Sequence, residues 1–129
     1  GWLLAWVLED GRPIYAQLVE RLQVQIVSGA YPPGGKLPSV RELAAVAEVN
    51  PNTMQKAFAE LEKSGLIITQ GTNGRVVTED ERLIQGSKRQ LAKRHADAYF
   101  AGMEGLGYTR AQAAEFLRAA EGKGEAEDE

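Results

Sequence analysis

The chain has 129 residues, 43% of them hydrophobic, no cysteine, and a formal net charge of −3. This length accommodates one domain, or one domain with a small appendage. The lack of cysteine excludes disulfides, thiolate metal ligands and a cysteine nucleophile, and it fits a reducing compartment. No apolar run approaches the roughly 18–20 residues of a membrane-spanning helix, and the opening residues lack the basic start of a signal peptide. These features predict a cytoplasmic protein without a membrane partner.

The charge is unevenly distributed along the chain. Residues 12–78 carry seven basic and five acidic side chains, whereas residues 79–129 carry eight basic and eleven acidic ones. The middle of the chain is therefore mildly basic although the whole is acidic. For a partner such as nucleic acid, this distribution matters more than the sum.

The first predicted helix begins at Arg12-Pro13, since proline is favoured in the first turn, where its missing N–H costs nothing. An apolar stripe repeats every four residues through Ile14, Leu18, Leu22 and Ile26. Gly29 follows as the terminating glycine. Residues 31–35, YPPGG, predict a turn, and residues 36–37 predict a very short strand.

Two short helices are predicted next, separated by the tight connection at residues 49–52. Ser39 and Glu42 have the spacing of a capping box, which begins the first of them. Asn50 caps the second, with Pro51 at its first position, and Gly65 ends it. The predicted buried positions are Val40, Leu43, Ala44 and Ala47 in the first helix and Met54, Ala57, Phe58 and Leu61 in the second.

A hairpin and two further helices complete the predicted elements. Residues 66–70 and 75–78 predict two strands joined by a tight turn at 71–74. A capping-box pattern at residues 78–81 predicts a long helix to about residue 103, and another at 109–112 predicts a last helix. Residues 122–129 are rich in glycine and acid and predict a disordered tail.

This order of elements predicts a mainly α fold with a small β-hairpin. The two short helices form a helix-turn-helix, and the preceding helix and following hairpin make it a winged helix-turn-helix. We expect the winged domain to span residues 12–78, a two-helix region to span 79–121, and the tail to span 122–129.

The second short helix carries side chains that suit DNA. In a helix-turn-helix this helix enters the major groove, and its predicted exposed face holds Asn52, Thr53, Gln55 and Lys56. Asn and Gln can pair with adenine, and Thr can contact several bases. Backbone N–H groups at residues 40–42 and 51–53 could meet phosphates, and the hairpin tip, 72–75, would reach the DNA backbone or minor groove. The same polar face would equally fit a solvated helix or a protein-binding winged helix.

Several motifs resemble the N-terminal domain of the GntR family of bacterial transcription regulators. They are Pro13-Ile14-Tyr15, IVSGAYPPGGKLPSVRELA at residues 26–44, VNPNTM at 49–54, LEKSGLI at 61–67 and the wing through Gly74. The resemblance implies that the Arg41 of the LPSVREL motif contacts DNA and that the recognition helix begins at Asn50. The DNA-binding candidates are Ser39, Arg41, Asn50, Asn52, Thr53, Gln55, Lys56, Thr72, Asn73, Gly74 and Arg75.

The chain also departs from the family pattern. Val40 stands where many members have Glu, and Pro51 and Asn52 stand where many have Arg. Thr72 occupies the position of a second wing glycine. The base preference of other members therefore does not transfer to this chain.

The C-terminal region resembles that of the YtrA-like subfamily, whose two short helices serve mainly to dimerise. Two helices enclose too little volume for an ordinary metabolite, and a second subunit would cover their apolar face. The candidate dimer-interface residues are Leu83, Ile84, Leu91, Tyr99, Met103, Phe116 and Leu117. A small hydrophobic cavity at Tyr99, Phe100 and Met103 is the alternative.

Catalytic and metal chemistry have little support in the sequence. His95 is the single histidine, and one histidine without cysteine makes a zinc site or a Ser-His-Asp triad implausible. The glycines at residues 71–74 lack the Gly-Lys-Ser/Thr of a phosphate-binding loop. We therefore expect no enzyme, no metal and no cofactor.

The predicted function is a homodimeric, sequence-specific regulator of transcription that acts as a repressor on a near-palindromic operator. Its partners would be double-stranded DNA, a second copy of the chain and an unidentified small-molecule effector. The resemblance further implies control of transporter genes. The alternative is a winged-helix adaptor that binds protein and has no specific affinity for DNA.

Overall fold

The computed structural model describes residues 6–127, except for the side chains of residues 73 and 123–127. Within this range the chain forms five α-helices, two β-strands and one short 3₁₀ turn. They are α1 (Ile14–Val27), α2 (Val40–Ala47), α3 (Pro51–Ser64), β1 (Ile67–Thr69), the 3₁₀ turn (Gly71–Asn73), β2 (Arg75–Val77), α4 (Glu81–Gly105) and α5 (Arg110–Glu127). The predicted mainly α winged helix-turn-helix is confirmed.

The wing is a two-stranded antiparallel hairpin. Ile67 pairs with Val77, and Thr69 pairs with Arg75. The predicted strand at residues 36–37 is a single antiparallel bridge from Lys36 to Val76. The predicted tight turn at residues 71–74 consists of the 3₁₀ turn and Gly74, whose φ of 73° and ψ of −139° suit only glycine.

The core of the winged unit lies between α1, α2, α3 and the hairpin. Leu18 and Leu22 of α1 and Met54 of α3 are fully buried, as the apolar periodicity predicts. Two predicted positions are exceptions, since Val40 of α2 is only half-buried and Ile14, the first residue of the α1 stripe, is 37% exposed. Burial of these stripes fixes α3 by one face and turns its polar face outward.

The predicted helix starts at Ser39 and Asn50 are confirmed. The Ser39 hydroxyl accepts a hydrogen bond from the Glu42 N–H at 3.1 Å, and Glu42 Oε1 accepts one from the Ser39 N–H at 3.1 Å. Between the two helices Glu48 adopts a left-handed backbone with φ of 59°. This left-handed residue ends α2 and turns the chain toward the start of α3.

The predicted start of α4 is wrong in its capping residue. Asp80 caps the helix, because its Oδ1 accepts a hydrogen bond from the Arg82 N–H at 2.9 Å. Thr78 is buried, and its hydroxyl accepts from the Asp80 N–H instead. Ile84, one turn further on, packs into the winged core. The compact unit therefore ends after Arg89, beyond the boundary predicted at residue 78.

The segment before α1 also belongs to the winged core, although the domain was predicted to begin at residue 12. Trp6 is 6% exposed and packs in the core cluster. The buried Gln17 side chain holds this segment in place, because it accepts a hydrogen bond from the Glu9 N–H at 2.6 Å and donates one to the Glu9 carbonyl at 2.9 Å. The periodicity of apolar residues could not reveal this contact, because Gln17 is polar and bonds to backbone groups of a segment without regular structure.

The second compact unit begins at Gln90 and comprises the rest of α4 and α5. The Tyr99 hydroxyl donates a 2.7 Å hydrogen bond to the Ala113 carbonyl, and Ala113 is fully buried. The predicted capping box at Thr109 and Gln112 is confirmed. Helix α5 extends to Glu127, where the sequence predicts a disordered tail from residue 122. Residues 128–129 lie outside the described range.

Between residues 6 and 127, none of the helices is long and apolar enough to cross a membrane.

Candidate nucleic-acid interface

The start of α2, the middle of α3 and the wing meet around one surface groove. Its volume is about 420 Å³. Many of the predicted DNA-binding residues line it together, although they are far apart in the sequence: Ser39, Arg41, Gln55, Thr72, Gly74 and Arg75. The groove therefore brings the predicted LPSVREL motif, recognition helix and wing to one place.

Helix α3 presents its polar residues to solvent at the N-terminal end. Asn52, Gln55 and Lys56 are exposed, and Thr53 is half-buried. Asn50 is exposed too, but its Oδ1 accepts the Asn52 N–H at 2.7 Å and is occupied as the helix cap. Asn50 therefore positions the helix in this structure.

The predicted use of free backbone N–H groups at residues 51–53 is wrong. Pro51 has no N–H, the Asn52 N–H is capped by Asn50, and the Thr53 N–H donates to the Asn50 carbonyl at 3.0 Å. Anion binding at this helix start would have to break one of these bonds. The start of α3 therefore offers its side chains to an anion, because its backbone N–H groups are already bonded.

Helix α2 holds Arg41 at the groove through its own capping box. Ser39 and Glu42 bond to each other's backbone and fix the first turn, and Arg41 lies between them with an exposed side chain. The Ser39 hydroxyl is already engaged by the Glu42 N–H. Ser39 therefore orients the first turn, and Arg41 is the group free to meet an anion.

The wing is fastened to α3 through Glu62. Its carboxylate accepts a hydrogen bond from Arg75 Nε at 2.7 Å and another from the Thr69 hydroxyl at 3.0 Å. The Arg75 guanidinium also lies 5.1 Å from the centre of the Phe58 ring. The hydrogen bond from Arg75 lowers the pKa of Glu62 below its ordinary value.

These contacts change the interpretation of Arg75, which the sequence placed at the DNA-contacting tip. The structure gives it an internal role that ties β2 to the recognition helix. Thr72 is exposed at the tip, and the side chain of Asn73 lies outside the described residues. Thr72 and Gly74 line the wing side of the groove together with Arg75, whose guanidinium is already bonded to Glu62.

Lys36 is a basic groove residue that is absent from the candidates predicted from the sequence. It is exposed and lines the groove, and its Cε lies near the open side of Gly74, 4.0 Å from the position a Cβ would take there. In the sequence, the one feature that could have identified Lys36 is its position directly before the LPSVREL motif. Its proximity to the wing depends on the bridge to Val76, which a sequence pattern does not reveal.

The predicted dimer-interface residues have different environments. Ile84 is 4% exposed and belongs to the winged core, so its assignment to the interface is wrong. Phe116 and Leu117 of α5 are 50% and 47% exposed, and Leu83 is exposed as well. The rest of the set is half-buried: Leu91, Tyr99 and Met103. Leu106 and Tyr108, which follow α4, are further exposed apolar side chains outside the predicted set.

Across the described part of the chain, no cluster of three or more His, Asp or Glu side chains could hold a metal ion.

Comparison with known proteins places this site in a family. A sequence model described as "Bacterial regulatory proteins, gntR family" matches residues 14–77. The HTH-type transcriptional repressor YtrA of Bacillus subtilis (strain 168) is 41% identical over 98 residues, which is 71% of this chain and 75% of that protein.

Solved structures with a similar fold include two that bear on the site. A GntR family transcriptional regulator from Listeria monocytogenes superposes with a TM-score of 0.78 and 38% identity, covering 87% of this chain and 98% of that one. AraR(DBD) in complex with operator ORX1 gives a TM-score of 0.54 and 30% identity, covering 58% of this chain and 98% of that one. Together with the groove, these similarities show that the chain belongs to the GntR family and is a DNA-binding transcription regulator, not an enzyme.

Proposed function

We propose that the protein is a homodimeric repressor that binds a near-palindromic operator in the bacterial cytoplasm. The observation that carries the proposal is the groove in which Arg41 of α2, Gln55 of α3 and Thr72 of the wing lie together. A duplex seated there would meet all three elements at once.

In this arrangement α3 lies in the major groove. Gln55 and Asn52 offer amide groups that can pair bidentately with adenine, and Arg41 contacts a phosphate or a guanine at the groove edge. Lys36 and Lys56 neutralise phosphates, which positions the protein without specifying sequence. The wing reaches the adjacent backbone through Thr72.

The dimer is supported by the apolar side chains of the second unit. Leu106, Phe116 and Leu117 are 74%, 50% and 47% exposed, and the centre of the Phe116 ring lies 6.2 Å from that of Tyr108, which is itself 40% exposed. A cluster of exposed apolar side chains marks an interaction site. A second copy of the chain would cover it by twofold symmetry. Two recognition helices would then occupy half-sites about 34 Å apart on one face of the duplex.

Repression follows from occupancy of a promoter, and the name of the Bacillus subtilis relative describes a repressor. Control of transporter genes and release by a small-molecule effector extend the same proposal. Finding the operator and the genes beside it tests the control of transporter genes, and a small molecule that releases the bound operator duplex would establish the effector.

The experiment is selection of genomic fragments bound by the full chain, followed by titration of a selected duplex in rising salt. We expect specific binding that weakens steeply with salt, because each neutralised phosphate contributes a slope of about −0.9 in log K against log salt. Arg41→Ala should weaken binding by about tenfold or more, the range of a lost charge-assisted contact. Lys63→Ala, which removes an exposed charge from the far end of α3, is the matched control.

A protein that binds every duplex with equal affinity would contradict specific regulation and favour the adaptor function. Equal losses from Arg41→Ala and Lys63→Ala would show that the duplex does not dock in the groove.

A further inference from the structure

Tyr15 in the first turn of α1 lies directly beneath a lysine of the recognition helix. The Lys56 ammonium is 3.8 Å from the centre of the Tyr15 ring. Tyr15 is half-buried between the helices, whereas Lys56 is exposed. An aromatic ring attracts a cation held over its face through the negative potential of the π-system.

We propose that Tyr15 is a positioning residue that holds the Lys56 ammonium ready for a DNA phosphate. This inference rests on the proposed function, since it concerns how the same interface binds. It adds to the interface a residue of α1, an element outside the helix-turn-helix and the wing.

The physical reason is the cost of ordering a long side chain. A lysine has four rotatable bonds, and a free one loses most of its rotamer freedom when it contacts a phosphate. A ring that already restrains the ammonium removes part of this cost, since preorganisation raises affinity without adding a contact. The contact leaves the outer side of the ammonium available, because a ring can occupy only one face of it.

The position of Tyr15 is itself determined by the fold. Pro13 forms the N-cap of α1 and sets the entry of the chain, while Leu18 buries the next turn against the core. Tyr15 is therefore fixed relative to α3 by packing that does not depend on Lys56. A rigid ring and a mobile lysine are the combination that positioning requires.

The test is a double-mutant cycle on a selected operator duplex with Tyr15→Leu, Lys56→Met and both together. We expect Tyr15→Leu to weaken binding about two- to fivefold, which corresponds to an exposed cation–π contact. In the Lys56→Met background the same change should have no effect. Loss of α1 packing would weaken binding equally in both backgrounds, so the cycle separates positioning from stability.

Two further measurements make the assignment specific. Tyr15→Phe keeps the ring and removes the hydroxyl, so it should bind like the parent protein. Lys56→Met should reduce the magnitude of the slope of log K against log salt by about 0.9, because it removes one phosphate contact. The slope measured for Tyr15→Leu should lie between that of the parent protein and that of Lys56→Met. If Tyr15→Leu proves poorly folded by circular dichroism, Tyr15→Met replaces it with a flexible apolar side chain of similar reach.

The outcomes separate this inference from the proposed function. If Lys56→Met weakens binding but Tyr15→Leu does not, Tyr15 does not position Lys56, and the proposed docking of α3 on DNA is unaffected. If Tyr15→Leu strengthens binding, the ring competes with phosphate for the ammonium and the inference is overturned. If Tyr15→Phe binds as weakly as Tyr15→Leu, the hydroxyl acts directly. If Lys56→Met itself has no effect, the proposed docking of α3 fails first.

Discussion

Replacing Glu62 by Gln should loosen the wing and destabilise the winged unit. The Glu62 carboxylate accepts hydrogen bonds from Arg75 and Thr69. The Arg75 and Glu62 side chains are 25% and 32% exposed, so the ion pair is only partly screened by water. Glutamine keeps one acceptor oxygen but removes the charge that pairs with the guanidinium.

The expected loss is about 1 kcal/mol, the upper end for a partly exposed ion pair. For a domain of this size, that loss lowers the melting temperature by about 4–8 °C. Circular dichroism during thermal unfolding at neutral pH measures it. Glu60→Gln is the matched control, because it removes an exposed carboxylate from the same helix.

The pH dependence gives an independent check. The hydrogen bond from Arg75 lowers the pKa of Glu62 in the folded state. A lowered folded pKa means that the stabilisation is fully present above the unfolded pKa of about 4.3 and is lost as pH falls through the folded value. The difference between the parent protein and Glu62→Gln should therefore narrow from about pH 5 downward.

Equal melting temperatures for Glu62→Gln and Glu60→Gln would refute the role of this ion pair. A difference that stays constant as the carboxylate is protonated would refute its electrostatic origin, and would point to side-chain packing instead.

Three further changes test other parts of the molecule. Trp6→Ala should lower the free energy of unfolding in urea by about 3–5 kcal/mol, because it removes a core side chain that is 6% exposed. An unchanged unfolding midpoint would show that the N-terminal segment is not part of the core. Gly74→Ala should destabilise the protein by about 1–3 kcal/mol in the same assay, since its backbone conformation is strained for any residue with a Cβ. Phe116→Glu should shift sedimentation from dimer to monomer, whereas Ala111→Glu on the same helix should not; a persisting dimer would exclude Phe116 from the interface.

The periodicity of apolar residues was sufficient to predict the helices of the winged unit. Leu18 and Leu22 in α1 and Met54 in α3 are buried as the stripes predict, because a helix in a small domain can bury only one face. Ser39 and Asn50 were also predictable as caps, since a cap satisfies backbone groups only a few residues away. Helix caps and apolar stripes depend on residues close together in the chain, so the sequence is sufficient to predict them.

Contacts between distant residues required the tertiary structure. Arg75 and Phe116 both looked available for a partner; Arg75 is held by Glu62, whereas Phe116 remains 50% exposed and available. The apolar character of Ile84 could not show whether a partner or its own chain covers it. Side-chain type states which interactions are possible, and only packing decides which of them form.

Sequence alone thus determined the winged helix-turn-helix, its helix starts and the polar character of α3, because each depends on neighbours within a few residues. The tertiary structure decided that Trp6 belongs to the core, that Lys36 joins the groove and that Tyr15 lies under Lys56. These three placements depend on how separate elements pack, and the chain encodes that packing only through the fold as a whole.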